Sequence, residues 1–221
     1  MTCQIDLVFT GNPGTGKTTV ARILAKIYRK IGILSKGQLV EVDRAGLVAG
    51  YVGQTAIKTS EVINNAIGGI LFIDEAYTLS MNDYGKEAID TILKAMEDNR
   101  DDLIVIVAGY PEPIKKFLKS NPGLESRFNT FINFEDYNSA ELLEILLTMT
   151  KKNNYKVNPK ITSRLKEYFA DMCTHKSDNF ANARSVRNFF ENAVKKQANR
   201  ISAITNPTRE DMELLLEEDF F

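Results

Sequence analysis

The sequence predicts an α/β domain built on a five-stranded parallel sheet, followed by a C-terminal all-helical lid-like unit. Three observations carry this. Short β-branched runs alternate with helical stretches from residue 5 to residue 134, the pattern of a parallel sheet covered on both faces. Two of the runs, "ILFID" at 70–74 and "LIVIVA" at 103–108, are almost wholly apolar, as central strands must be. Beyond Asn133 helical periodicity continues with no strand between the helices.

In chain order, "IDLVFT" (5–10) reads as the first strand and "KTTVARILAKIYRK" as its helix. "QLVEVD" (38–43) is followed by the helical "TAIKTSEVINNAI", "ILFID" by "KEAIDTILKAMEDN", and "LIVIVA" by "PIKKFLKS". "TFINF" (130–134) is the fifth strand. Four helical stretches follow: 139–153, 159–173, 183–201 and 208–219, with Pro159 at a helix start and Thr208 as an N-cap. A boundary near Glu135–Tyr137 divides a 1–135 nucleotide-binding domain from a 136–221 helical domain.

Composition narrows the function classes. Hydrophobic residues are 43% and charged residues 26% of the 221, as in an ordinary globular protein. A net charge of -1 gives no basic field toward nucleic acid or an anionic membrane, so neither is expected as a partner. Cys3 and Cys173 lie too far apart for a disulfide framework or metal spacing, which fits a reducing cytoplasm. No apolar run approaches the ~20 residues that span a bilayer. The lone histidine, His175, sits in a polar stretch and reads as a surface residue.

"GNPGTGKTT" at 11–19 follows a predicted strand and opens a predicted helix, the context a phosphate-binding loop requires. The segment Gly11, Asn12, Pro13, Gly14, Thr15, Gly16, Lys17, Thr18, Thr19 is the expected nucleotide seat. Gly11, Gly14 and Gly16 let backbone N–H groups turn inward, and the helix N-terminus adds partial positive charge. Lys17 would reach the β- and γ-phosphates, and Thr18 would give a hydroxyl to Mg2+. "GGILFIDEA" (68–76) supplies the other half. Asp74, at the end of a central strand, would hold Mg2+ through water, and Glu75 would polarise the attacking water. Glu75 also argues against a small-molecule kinase, which has to keep water out.

On these residues the chain resembles an AAA+ ATPase of the group containing red-type Rubisco activase (CbbX) and stage V sporulation protein K. The matching stretches are "FTGNPGTGKTTVARI", "LVEVDRAGLVAGYVGQT", "ILFIDEAYTL", "GKEAIDTILKAMEDNRDDLIVIVAGY", "SNPGLESRF" and "NARSVRNFFENAVKKQANRI", nearly the whole chain. The resemblance implies a homo-oligomeric ring, usually a hexamer, with ATP or ADP between subunits and pore loops that tug on a protein substrate. It implies a pore loop at Tyr51, Val52 and Gly53, an arginine finger at Arg127 and a lid arginine contacting the γ-phosphate at Arg184, with Arg187 as the competing candidate. The plain alternatives are a Tyr51 folded onto its own domain, an Arg127 paired with Glu125 or Asp136, and an Arg184 in a surface salt bridge. Relatives often carry a basic residue where Glu125 stands, a glycine where Ala181 stands, and Asn or Thr near Tyr110. Only Met1–Gln4 precede the first strand, where the family carries a helix and loop over the adenine. The expectation is a half-open base pocket and, if the ring contact needs that segment, a monomer.

The reading is therefore an ATP-hydrolysing protein-remodelling motor. The alternative is a nucleotide-dependent regulatory or scaffold module with negligible turnover. A DNA-loading ATPase would show a basic face, and this sequence has none.

Overall fold

The computed structural model describes residues 5–51, 53–176 and 180–221. The chain divides into two compact units: Met1–Asn12 with Gly16–Phe134, and Pro13–Thr15 with Glu135–Phe221.

The first unit is a parallel sheet. Its strands are β1 (Leu7–Gly11), β2 (Leu39–Val42), β3 (Ile70–Ile73), β4 (Ile104–Gly109) and β5 (Thr130–Phe134), in the order β2-β3-β4-β1-β5. Helices connect them: α1 (Lys17–Lys30) after β1, α2 (Arg44–Leu47) and α3 (Gln54–Ala66) after β2, α4 (Asp83–Asp98) after β3, and α5 (Pro111–Lys119) and α6 (Pro122–Arg127) after β4. The strands and the longer helices fall where hydrophobic periodicity places them. The two short helices α2 and α6 are additions, each marked by a polar cap. Asp43 accepts the Gly46 amide at 3.0 Å and Asn121 the Gly123 amide at 2.8 Å, and Pro122 opens α6.

Every residue of β1, β3 and β4 is buried. The strand period of two sends alternate side chains to opposite faces. Leu7, Phe9, Ile70, Phe72, Ile104 and Ile106 pack under α1 residues Ala21 and Ala25. Val8, Leu71, Ile73, Val105 and Val107 pack on the other face with Ile63, Ile92 and Met96. β5 forms an edge and is mostly exposed, with Phe131 at 55% exposure. All five strands run in one direction, so their carboxyl ends share one edge. Register sets the levels on that edge: Thr10 pairs with Gly109, and Ile73 with Val107.

The second unit holds α7 (Ser139–Lys152), α8 (Thr162–Thr174) and α9 (Ala183–Ser202). Asn138 and Glu141 form a reciprocal capping box at the start of α7. Leu142, Leu146, Leu165, Phe169, Val186 and Phe190 make the core, beside a Tyr168–Phe189 stack with centroids 4.5 Å apart. Pro159 starts a short 3-10 turn, Pro159–Ile161, that leads into α8.

The second unit is helical as expected, with one addition. Two short strands, β6 (Lys156–Val157) and β7 (Leu214–Leu215), pair in parallel. The 208–219 stretch is three pieces: α10 (Arg209–Glu213), β7 and α11 (Glu217–Phe220). Thr208 caps α10 as its position predicts, within a capping box to Asp211. The helix then stops because its carbonyls are taken. Gln197 Nε2 donates to the Met212 carbonyl at 2.7 Å, and Arg200 Nη2 donates to that of Leu214 at 3.0 Å. The Leu215 carbonyl accepts the Asn158 amide at 3.1 Å. Arg200 also grips the buried Asp219 at 2.9 Å, and Asp219 in turn accepts the Leu216 amide at 2.8 Å.

Pro13–Thr15, which the sequence reading assigns wholly to the first domain, groups with the second unit. Within that unit Asn182 Nδ2 donates to the Pro13 carbonyl at 3.2 Å, the Ala183 amide to Gly14 at 3.1 Å, and the Tyr137 hydroxyl to Thr15 at 3.1 Å. Among the described residues no helix is long and apolar enough to cross a membrane.

Candidate nucleotide site

The site of the first unit lies on the carboxyl edge of the sheet. At Gly11 the chain leaves β1 with φ 146°, and a Cβ there would stand 2.3 Å from the Phe134 carbonyl oxygen. Only glycine fits that approach. Gly16, at φ 98°, starts α1 with no side-chain cap, and the start of a helix is where backbone N–H groups point at an anion. Lys17 Nζ donates to the carbonyls of Gly11 and Asn12, both at 2.8 Å. The ammonium is thereby held at the loop it is expected to serve. The Thr18 hydroxyl donates to Glu41 on β2 at 3.3 Å, and Arg22 stands 3.6 Å from the same carboxylate. Thr19 is exposed.

Asp74 follows β3, and its amide continues the ladder to the Val42 carbonyl at 2.8 Å. Its carboxylate accepts the Glu75 amide at 3.1 Å. Glu75 is exposed and has φ 48°, a left-handed conformation uncommon for a non-glycine residue. A 3-10 turn over Ala76–Met81 follows, in which the Thr78 amide and hydroxyl both donate to the Glu75 carbonyl, at 2.9 and 2.7 Å. The Tyr77 phenol is pushed above its ordinary pKa by burial and then by the Glu75 carboxylate, with Tyr110 and Asp74 adding to it.

β1 and β3 are separated by β4 alone. Strand spacing therefore sets Gly11 and Asp74 roughly 10 Å apart across the edge. That span suits a phosphate tail with its counterion, at the carboxyl edge where open α/β sheets bind ligands.

The residues named by resemblance are spread more widely. Tyr51 is 74% exposed and does not fold back onto its own unit. Gly50 and Gly53 flank it with no atom near their missing Cβ positions, and Gly53 starts α3 at φ 79°. Val52 lies outside the described residues. Arg127 ends α6 and pairs with Glu97 of α4 at 3.0 Å, so neither Glu125 nor Asp136 is its partner. Its Nε is buried with no hydrogen-bond partner among the described residues. In the second unit Arg184 and Arg187 are both exposed on α9. Ala181, which precedes α9, donates its amide to Ser185 at 2.9 Å.

Sequence reasoning missed Glu97, Tyr77 and Asn182. Asn182 is fully buried at φ 50°, accepts the Tyr137 amide at 2.9 Å and donates to Asp136 at 2.8 Å. An asparagine just ahead of a helix reads as an N-cap; here it stands at that position with φ 50°, but its side chain bonds Tyr137, Asp136 and Pro13 instead of capping the helix. Glu97 and Tyr77 sit in helical and loop runs where only tertiary contact gives them partners. His175 is a surface residue as expected, paired with Asp171 at 2.9 Å.

A parallel sheet in this strand order, a glycine-rich loop opening α1, and an Asp-Glu pair closing β3 define a P-loop nucleoside triphosphatase. Residues 7–136 match the ATPase family associated with various cellular activities (AAA), and residues 138–221 match the AAA lid domain. The chain belongs to the AAA ATPase family. It is 47% identical to Protein CbbX of Cereibacter sphaeroides over 204 residues, which cover 90% of this chain and 65% of that protein. It is 45% identical to Stage V sporulation protein K of Bacillus subtilis, covering 89% of this chain and 62% of that one. To the chloroplastic Ribulose bisphosphate carboxylase/oxygenase activase of Cyanidioschyzon merolae it is 47% identical, over 90% of this chain and 69% of the activase. The chain thus spans less than two thirds of the length of the first two relatives. Among solved structures, the FIGL-1 AAA domain superposes on 97% of the chain with a TM-score of 0.67 at 16% identity, a likeness of fold.

Proposed function

We propose that this chain is the ATP-hydrolysing module of a protein-remodelling ring. The observation that carries the reading is the Asp74–Glu75 pair at the end of β3, on the same sheet edge as the loop that leaves β1. Binding alone would need the loop and Lys17; a carboxylate next to the ion-holding one adds a group that can take a proton from water. Lys17 and the amides at the start of α1 bind the phosphates. The Thr18 hydroxyl and the Asp74 carboxylate are hard oxygen donors, a set that fits Mg2+ shared with phosphate oxygens and water. When bound, that ion neutralises phosphate charge. Glu75 accepts a proton from the attacking water as its oxygen bonds to the γ-phosphorus and the bond to the β-phosphate oxygen breaks, leaving ADP and phosphate.

Three further features support coupling to a protein. Tyr51 is exposed between two unencumbered glycines, as a loop that grips an extended chain requires. Arg127 ends a short helix and pairs with Glu97; as an arginine finger it would exchange that partner for a neighbour's phosphate. Arg184 heads α9 as the lid arginine. One relative is by name an activase of a carboxylase, which favours a protein as the substrate here too. We read the module as a homo-oligomer, with a hexamer as the expected ring, acting in the cytoplasm.

The test is the steady-state ATPase rate as a function of protein concentration, with and without Mg2+. The specific rate should rise with concentration, because Arg127 completes a neighbour's site. Glu75→Gln should keep nucleotide binding and lose at least about a hundredfold in turnover. A Glu75→Gln chain as active as the unaltered one would remove the reading.

A further inference from the structure

β2 reads Leu39-Val40-Glu41-Val42, one acid in an otherwise apolar strand. The strand period sends Leu39 and Glu41 to one face of the sheet and Val40 and Val42 to the other. Leu39 packs against the cluster of Phe9, Ala21 and Phe72 on the α1 side, and Val40 and Val42 pack against the cluster of Leu71 and Ile73 on the opposite side. Register agrees, since Glu41 pairs with Phe72. Glu41 therefore stands on the face that α1 covers, where its neighbours are apolar.

The start of α1 meets it there. Thr18 and Arg22 lie four residues apart, one turn along the helix and on one side of it. The Thr18 hydroxyl donates to Glu41 Oε1 at 3.3 Å, and Arg22 Nη2 stands 3.6 Å from Glu41 Oε2. The two oxygens of one carboxylate are thus shared between a hydroxyl and a guanidinium. The ion pair with Arg22 is a weak reason for an acid here, because the two side chains are 57% and 46% exposed. The bond from Thr18 has a different consequence. A hydroxyl has one proton to donate and two lone pairs to offer. With the proton committed to Glu41, the oxygen has only lone pairs left, which is what a hard cation takes.

We propose that Glu41 is a positioning residue for Thr18: it takes the hydroxyl proton and so commits the hydroxyl oxygen to Mg2+ as a donor. The proposal rests on the reading of Thr18 as a residue that would hold the ion. Glu41 is not itself a ligand in this arrangement. It acts through the hydroxyl, as the partners behind metal ligands do when they fix the ligand's orientation. Arg22 engages the second oxygen of the carboxylate, on the same side of α1 as Thr18.

The test is calorimetric titration of the whole chain with a non-hydrolysable ATP analogue, once with Mg2+ and once with EDTA, alongside the melting midpoint. The quantity read is the gain in affinity that Mg2+ brings. Thr18→Val should lose most of that gain. Glu41→Ala should reduce it about tenfold, the lower end of what a group behind a metal ligand contributes, because the carboxylate is half exposed; melting should not change. Glu41→Gln keeps an acceptor oxygen without the charge. It should reduce the gain only about threefold, since a neutral acceptor makes a bond roughly half as strong. Arg22→Ala leaves the Thr18 bond in place and should stay within about twofold of the unaltered chain. An unaltered gain in Glu41→Ala, with Thr18→Val still defective, overturns the proposal and leaves Thr18 as the ion's ligand. A loss in Arg22→Ala equal to that in Glu41→Ala would assign the effect to the ion pair, and a Glu41→Gln as defective as Glu41→Ala would assign it to charge alone; either overturns the proposal. Should Thr18→Val itself keep the full gain, the reading of Thr18 falls and the proposal with it.

Discussion

The two cores of this molecule are held by different means. In the first unit, three adjacent strands are buried on both faces and their alternation fills two apolar layers. Its buried acid, Asp6, accepts the Val105 amide at 2.9 Å inside the sheet. In the second unit, an aromatic cluster around Phe189 is closed by charged and amide side chains of α9 that take hold of the chain's last stretch. A periodic core needs no particular partner for each backbone group, because the ladder satisfies them all. The second core depends on Gln197 and Arg200, which satisfy carbonyls 14 to 15 residues away.

The largest expected effect breaks the sheet side of this contrast. Phe72 is fully buried and meets Phe9 edge-on, with centroids 6.4 Å apart. Phe72→Ala should cost roughly 3–5 kcal/mol through lost burial and the cavity left behind. Denaturant unfolding followed by hydrogen exchange of the β1, β3 and β4 amides would check it. Next comes the ionic closure of the second unit. Asp219 is 1% exposed while its partner Arg200 is 19% exposed. Asp219→Ala should cost about 3 kcal/mol, the lower end of what a broken buried pair loses, because Arg200 keeps some solvent. Exchange protection should disappear from β7 and α11 first. If the first-unit amides lose protection instead, the two cores are not separately held.

The smallest effect is a pH dependence. Hydrogen bonds from Lys156 and then Arg209 bring the Glu213 carboxyl down to about 2, from an ordinary 4.5. A carboxyl depressed in the folded state adds stability above the unfolded value and loses it as pH falls. The contribution is therefore complete above pH 4.5 and fades between there and about 2. It is small, because Lys156 and Arg209 are 69% and 89% exposed. Glu213→Gln should flatten the acid side of the unfolding midpoint between those values and leave neutral pH nearly unchanged.

This contrast also explains what could be read from the sequence. The five strands, the phosphate loop and the Asp74–Glu75 pair were legible because each is local: a period of two, a glycine spacing, an acid after an apolar run. The break of 208–219 was not, because "TREDMELLLEED" is a good helix on its own and only Gln197, Arg200 and Asn158 interrupt it. The partner of Arg127 was missed for the same reason. Glu97 lies 30 residues earlier in the chain, and nothing in the intervening sequence marks the pair.

The left-handed backbone at Glu75 has a consequence for anyone evolving this protein in the laboratory. A residue with a Cβ held in that region costs about 1–2 kcal/mol relative to one that adopts it freely. Glu75→Gly would recover part of that energy, less what glycine's freer unfolded chain takes back, and delete the proposed base. Selection for heat resistance alone would thus favour chains that lack the proposed base. Libraries of this protein should be screened for turnover in the same round as for survival on heating.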